Sequence, residues 1–102
     1  MYKLKVEPQF KKDYQQLKHR HPELITELLN TLNQLRFNGI VEAKYQPHIL
    51  SNRGGNYNGS YEYHLSDGKV DVLVIYMPHK TNPSVRLIRV GNHNELFHST
   101  LK

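Results

Sequence analysis

The chain has 102 residues, carries fourteen Lys and Arg against nine Asp and Glu, and contains no cysteine. This length predicts one domain, residues 1–102, and the lack of cysteine excludes a disulfide scaffold, a zinc ribbon and a thiol nucleophile. No apolar run approaches the roughly 20 residues of a membrane span, and residues 1–6 lack the apolar core of a secretion signal. We therefore expect a soluble cytoplasmic domain, whose net charge of +5 favours a polyanionic partner.

The first half of the chain predicts a strand followed by a helical hairpin. Residues 2–6 alternate between polar and apolar side chains, as in a short strand. From Pro8 to Leu17, apolar residues recur at three- and four-residue spacing, which is typical of an amphipathic helix with proline in its first turn. A broader apolar stripe over residues 24–35 predicts a second helix that ends at Gly39. The two helices should cover one face of a sheet.

The second half predicts four strands. Residues 45–50 are a weak strand candidate with a proline inside it, which favours a sheet edge. Residues 60–65 alternate, residues 72–77 are apolar on both faces and should form a central strand, and residues 85–90 form another. A short helix or turn follows over residues 93–97. The order β-α-α-β-β-β-β, with helices segregated from a mostly antiparallel sheet, is typical of an α+β fold.

A meander of consecutive antiparallel strands would bring distant polar residues to one end of the sheet. His64 closes one predicted strand and Asp71 opens the next, across a single turn. The last strand returns to the same end with Arg89, and His93 follows it three residues after the strand ends. His48 joins them if the strand that contains it pairs with the following one. We therefore expect these five side chains to cluster on one rim of the sheet.

The chemistry of this set is that of acid and base catalysis at a phosphate. Two or more imidazoles can divide the general-base and general-acid roles near neutral pH. A guanidinium can hold a phosphate, and a carboxylate can orient an imidazole or act as the base. The sequence contains no HExxH, GxxxxGK[ST] or GxSxG motif, so we expect neither a metal nor another cofactor. Such a set suits cleavage of RNA by its own 2′-hydroxyl, a nucleophile that DNA lacks.

The same residues also have structural interpretations. Arg89 could form a structural ion pair with Glu62 or Asp71. His93 could cap the final turn. The histidine and aspartate at the strand ends could also be ordinary polar residues.

Three segments carry a family resemblance: residues 59–65, residues 71–76, and residues 87–97, which contain Arg-x-Gly-x-His-x-x-Leu-Phe. Together with Phe10-Lys11-Lys12-Asp13 and the leucine-rich hairpin after it, they resemble the YafQ branch of the RelE/ParE superfamily of bacterial toxins. The resemblance implies a RelE-like fold, ribosome-dependent cleavage of mRNA in the decoding site, and neutralisation by a cognate antitoxin. It marks as site residues His48, His64, Asp71, Arg89, His93 and Phe97.

The resemblance also implies roles for these residues, and the chain departs from the family at one position. His93 would be the main proton-transfer residue, with the acid role preferred, and Asp71, His48 or His64 would be the base. The sequence does not fix which residue is the acid and which is the base. Arg89 would clamp the phosphate, and Phe97 would stack on a base or pack the site. The family often has tryptophan directly after the aspartate, where this chain has Val72. Basic helix residues would dock on ribosomal RNA: Lys11, Lys12, Lys18 and Arg20.

Two other functions remain open from the sequence. The same superfamily includes ParE-like toxins that inhibit DNA gyrase by binding it, which would make the histidines incidental. A basic RNA-binding module without catalysis is the third possibility. Cleavage of a message on translating ribosomes would separate these three functions.

Overall fold

Five strands and three helices form the described part of the chain, in the order that the sequence predicts. The computed structural model describes residues 1–50, 59–66, 69–79 and 82–97, and it describes residue 97 by its backbone alone. The elements are β1 Lys3–Val6, α1 Pro8–Arg20, α2 Ile25–Asn38, β2 His48–Ile49, β3 Tyr61–His64, β4 Leu73–Pro78, β5 Ser84–Gly91 and α3 His93–Phe97, with 3₁₀ turns at Pro22–Leu24 and Ala43–Tyr45. The fold is therefore α+β, as predicted.

The sheet has the strand order β1-β5-β4-β3-β2. The strands from β2 to β5 form the expected antiparallel meander, with β4 in the centre. The first strand, β1, pairs parallel with the last strand, β5, from Lys3 opposite Ser84 to Val6 opposite Leu87. The sheet is thus mixed, and β1 forms its edge next to β5.

Local chemistry explains where the two long helices begin and end. Pro8 occupies the first turn of α1, where its missing N–H is not needed. The second helix ends at Gly39, whose φ of +75° lies in the left-handed region. A β-carbon at this position would lie 2.5 Å from the Tyr2 ring, so glycine is required both by the backbone and by the packing of residue 2. The hairpin is thereby fixed against the start of β1.

Apolar side chains pack on both faces of the sheet. The larger cluster lies between the sheet and the helical hairpin and includes Phe10, Leu28 and Tyr63. A smaller cluster on the other face joins Leu73 and Ile75 of β4 to Leu96 of α3. This explains why β4 is apolar on both faces, and it places α3 against the end of the sheet where β4 begins.

The edge strand is shorter than predicted. Only His48 and Ile49 form β2, whereas the sequence predicts a strand over residues 45–50. Tyr45 belongs instead to a 3₁₀ turn, and its ring is buried in the larger cluster. Pro47 immediately precedes β2, because proline cannot donate to a strand ladder. In the described ranges, no helix is long and apolar enough to cross a membrane.

Candidate active site

A buried glutamate lies between two histidines at the edge of the sheet. His48 of β2 is directly opposite Glu62 of β3, and His64 follows two residues later on the same face. Oε2 of Glu62 lies 3.0 Å from Nε2 of His48 and 3.3 Å from Nε2 of His64. The glutamate side chain is only 6% exposed. The pairing of β2 with β3 therefore joins two of the predicted site residues, His48 and His64, through the carboxylate of Glu62.

Asp71 holds His93 through two contacts. The backbone N–H of His93 donates to Oδ2 of Asp71 at 3.1 Å, and the ring Nδ1 lies 2.6 Å from Oδ1. An ionised carboxylate only accepts hydrogen bonds, so we assign the proton to Nδ1. The nitrogen that can exchange a proton with a substrate is then Nε2. Both side chains are about half exposed, which keeps this pair accessible to a large ligand.

The three imidazoles form a continuous row. The ring centroids of His64 and His93 are 5.7 Å apart with an interplanar angle of 35°. Those of His48 and His64 are 6.1 Å apart and stacked at 25°. The row thus joins residues from β2, β3 and α3, with a carboxylate at each end of the His64–His93 pair. The structure brings together four of the predicted site residues: His48, His64, Asp71 and His93.

Arg89 is held by a different element. Its Nε donates to Oδ2 of Asp13 at 2.6 Å and its Nη2 donates to Oδ1 at 3.0 Å, while the N–H of Val90 also donates to Oδ2. Both charged side chains are buried, the arginine at 8% exposure and the aspartate at 6%. The sequence interpretation of a pair with Glu62 or Asp71 is therefore wrong. Asp13 of α1 is the carboxylate that binds this guanidinium, and the pair fastens α1 to β5.

The start of α3 is capped by Asn92 rather than by His93. The side-chain oxygen of Asn92 accepts from the N–H of Glu95 at 2.7 Å, and Glu95 accepts from the N–H of Asn92 at 3.3 Å. This reciprocal arrangement is a capping box. The interpretation of His93 as the cap is therefore wrong, and its ring is committed to Asp71 instead.

The resemblance also concerns Phe97 and Val72. Phe97 ends α3, and its side chain lies outside the described part of the chain. Val72 is buried in the larger core cluster. A valine there fills space below the sheet and supplies no aromatic ring to a substrate.

A small cavity lies between Asp71 and Asp13. Its volume is about 40 Å³, and the ion pair between Arg20 and Glu95, at 2.7 Å, lies along its wall. A cavity of this size holds about one water molecule and no nucleotide. In the described part of the chain, no three His, Asp or Glu side chains are arranged to hold a metal ion.

Glu62 and Asp13 were not predicted as site residues, although the sequence contains a signal for each. Glu62 lies two residues before His64 in the same strand, which places both side chains on one face. Asp13 lies three residues after Phe10 and four before Leu17, within the apolar stripe of α1. A charged residue in an apolar stripe indicates a buried partner.

Comparison with known proteins agrees with this architecture. A family described as the bacterial toxin of type II toxin-antitoxin system, YafQ, matches residues 2–98. A histidine-to-glutamine variant of YafQ from E. coli is 24% identical, with a TM-score of 0.76 over 95% of this chain and 99% of that chain. YafQ in the E. coli DinJ-YafQ toxin-antitoxin complex is 25% identical, with a TM-score of 0.72 over 94% and 97%.

A copper-bound leucine-to-serine variant of a toxin from Helicobacter pylori is 27% identical, with a TM-score of 0.67 over 95% of this chain and all of that chain. No curated protein matches the sequence. The family match covers nearly the whole chain, including all three histidines of the row. The chain belongs to the YafQ family of bacterial toxins of type II toxin-antitoxin systems.

Proposed function

We propose that this toxin is a ribosome-dependent endoribonuclease that cleaves mRNA by attack of a 2′-hydroxyl on the adjacent phosphate, without a metal ion. The observation that carries the proposal is the pair of His64 and His93, whose rings lie 5.7 Å apart while Asp71 fixes the second ring. Two imidazoles this close can both reach one phosphodiester, one as base and the other as acid.

The contacts of Asp71 favour one division of roles. Both of its carboxylate oxygens contact His93, so we assign it to orient that ring. Nε2 of His93 would then protonate the leaving 5′-oxygen, while His64 takes the 2′-proton. The attacking oxygen forms a bond to phosphorus as the bond to the 5′-oxygen breaks. The products would be a 2′,3′-cyclic phosphate and a free 5′-hydroxyl.

Arg89 and Phe97 enter the proposal through the family resemblance. A phosphate would have to approach a guanidinium that Asp13 already holds and that is 8% exposed. We therefore expect Arg89 to act through its fixed positive charge rather than as a mobile clamp. Phe97 would stack on a base beside the row.

The proposed partners are a cognate antitoxin, the ribosome and its mRNA, all met in the cytoplasm. The E. coli complex of DinJ and YafQ supports the first of these. The net charge of +5 would favour both an acidic antitoxin segment and ribosomal RNA. Exposed lysines along α1, at positions 11, 12 and 18, supply part of that charge.

The deciding experiment is cleavage of a defined message on translating ribosomes, with cut sites mapped by primer extension. Wild-type toxin should cut at codon-related positions, and His93→Ala should lower the cleavage rate by about 10²–10⁴-fold, because it removes the general acid. His19→Ala, at an exposed position of α1, is the matched control and should cut normally. Circular dichroism should show all three proteins folded.

The same assay separates the alternatives. An intact message together with blocked DNA supercoiling would favour gyrase inhibition, and ribosome binding without cleavage would favour a non-catalytic RNA-binding module. Cleavage should persist in EDTA and should not require added copper, which is tested because a similar toxin structure is copper-bound. A strict metal requirement, or 3′ ends without cyclic phosphate, would contradict the proposed chemistry.

A further inference from the structure

The carboxylate of Glu62 is buried in an unusual place for a charge. It lies opposite Ile75 of β4, on the sheet face that carries the smaller apolar cluster. A buried carboxylate is costly unless hydrogen-bond donors or positive charges face it. Here the facing groups are His48 and His64, whose Nε2 atoms lie 3.0 Å and 3.3 Å from the same oxygen.

The second nitrogen of His48 fixes where its protons lie. Nδ1 is 2.9 Å from the carbonyl oxygen of Gln46, which can only accept, so Nδ1 carries a proton. Gln46 has a φ of +52°, in the left-handed region that non-glycine residues seldom adopt. Such a conformation persists only where the surrounding contacts hold the backbone in place. Both ring nitrogens of His48 therefore have protein partners.

The contact between His48 and Glu62 must then contain a proton of its own. A bare nitrogen lone pair facing a carboxylate at 3.0 Å would be repelled. The proton lies between these two groups, either on the imidazole or on the carboxyl. His48 and Glu62 thus share one proton.

The ring of His64 has a different set of contacts from that of His48. Only its Nε2 faces Glu62, so an ionised carboxylate there selects the tautomer that carries its proton on Nε2. Nδ1 is then the nitrogen that can accept a proton. His64 also lies beside His93, the proposed acid, in the row of rings.

We propose that Glu62 is a positioning residue of the toxin's reaction, which sets the protons on the two neighbouring histidines. It makes His64 a base that acts through Nδ1, and it shares one proton with Nε2 of His48. The inference rests on the proposed function and deepens it, because it assigns the base among residues that the sequence left open.

Long-range ¹H–¹⁵N spectra of the imidazoles test the proton positions directly. In wild-type toxin, His64 should show the tautomer protonated on Nε2. In Glu62→Gln, which keeps the shape of the side chain, the signals of both His48 and His64 should shift and the single tautomer of His64 should be lost. His64 protonated on Nδ1 in the wild type, or unmoved signals in the variant, would overturn the proposal.

Kinetics on programmed ribosomes test the consequence. Glu62→Gln should lower kcat by about tenfold or more with KM nearly unchanged, because Glu62 acts through the histidines. Glu62→Asp, which keeps the charge, should recover part of the lost rate. Glu23→Gln removes a comparable contact, with His21 at 3.1 Å on an exposed surface, and should cut normally. Full activity of Glu62→Gln would overturn the assignment.

The two arms distinguish the possible failures. If wild-type toxin leaves the message intact, the proposed function fails, whereas the imidazole spectra still decide whether Glu62 sets the two proton positions. If Glu62→Gln does not fold, the wild-type tautomers and the Glu62→Asp rate decide the proposal instead.

Discussion

Asp71 shows how one exposed carboxylate can restrain a ring without being buried. It accepts from the backbone N–H of His93 and from the imidazole of the same residue, so the first residue of α3 is held at two points. Two contacts to one carboxylate remove the rotation that a single contact would allow. Nε2 of His93 is thereby directed by a residue 22 positions earlier in the chain.

We predict that Asp71→Asn lowers the cleavage rate by about 10²-fold or more, because an uncharged amide no longer favours the required tautomer and a charged imidazole. The free energy of unfolding should change by less than about 0.5 kcal/mol, since the side chain is half exposed. Single-turnover cleavage and urea denaturation measure the two effects. Glu42→Gln, an exposed carboxylate that contacts Gln34, is the control. A normal rate in Asp71→Asn would show that the contact has no role in cleavage.

For the buried pair of Asp13 and Arg89, the expected effect of a substitution is on stability. We predict that Asp13→Asn lowers the free energy of unfolding by about 3–5 kcal/mol, because it leaves a buried guanidinium without its counter-charge. Urea denaturation measures the loss. The double variant Asp13→Leu with Arg89→Met should be more stable than Asp13→Asn, since no charge is then buried. Equal losses in the two proteins would indicate that the ion pair is not the source of the effect.

At the scale of elements, β3 and β4 carry tyrosines into the core beneath the helices. The hydroxyl of Tyr63 donates to Thr31 of α2 at 2.7 Å, and Thr31 donates to the carbonyl oxygen of Leu28. Burial raises the pKa of Tyr63 well above its usual range, and it raises the pKa of Tyr76 to about 12. Burial thus favours the neutral form of both phenols.

This packing predicts a loss of stability at high pH. Because the folded-state pKa of Tyr76 is raised above its ordinary value of 10.0, its contribution is fully present below pH 10 and is lost as the pH rises towards 12. Tyr76→Phe should therefore lose less stability than wild type between pH 10 and 12. Urea denaturation at pH 8, 10, 11 and 12 measures both proteins. Parallel curves would contradict the assignment.

The sequence predicted the elements well because periodicity reports which side of each element is buried. It placed α1, α2 and the four-strand meander, and the meander brought His48, His64, Asp71 and His93 to one rim. It did not predict the parallel pairing of β1, the shortness of β2, or Asp13 as the partner of Arg89. Periodicity does not specify which distant carboxylate faces a buried cation, since that choice depends on how α1 is placed on β5.

At the scale of the whole molecule, the proposed binding to ribosomal RNA would depend on the net positive charge. Lys11 and Lys12 lie exposed on α1, and contacts of such residues with RNA phosphates release counterions. Ribosome affinity should therefore fall steeply with salt. The sign and the steepness of that dependence report how many phosphates the surface neutralises.

We predict that Lys11→Gln with Lys12→Gln weakens ribosome binding and lowers the slope of log affinity against log salt by about 2, or about 1 per lysine. Sedimentation with ribosomes at several salt concentrations measures this slope. Lys44→Gln, which removes a lysine that lies over the Tyr45 ring, is the control. An unchanged slope in the double variant would show that α1 faces away from the RNA.

The pairing of β1 with β5 has a consequence for biosynthesis. Residues 3–6 find their strand partner only at residues 84–87, so the sheet stays incomplete through most of translation. His93 follows that partner strand and joins the row of rings later still. Under the proposed function, a nascent toxin would lack its complete site while its own ribosome is still reading the codons for the last strand. On that proposal, the strand order would delay cleavage of the toxin's own message until synthesis is nearly complete.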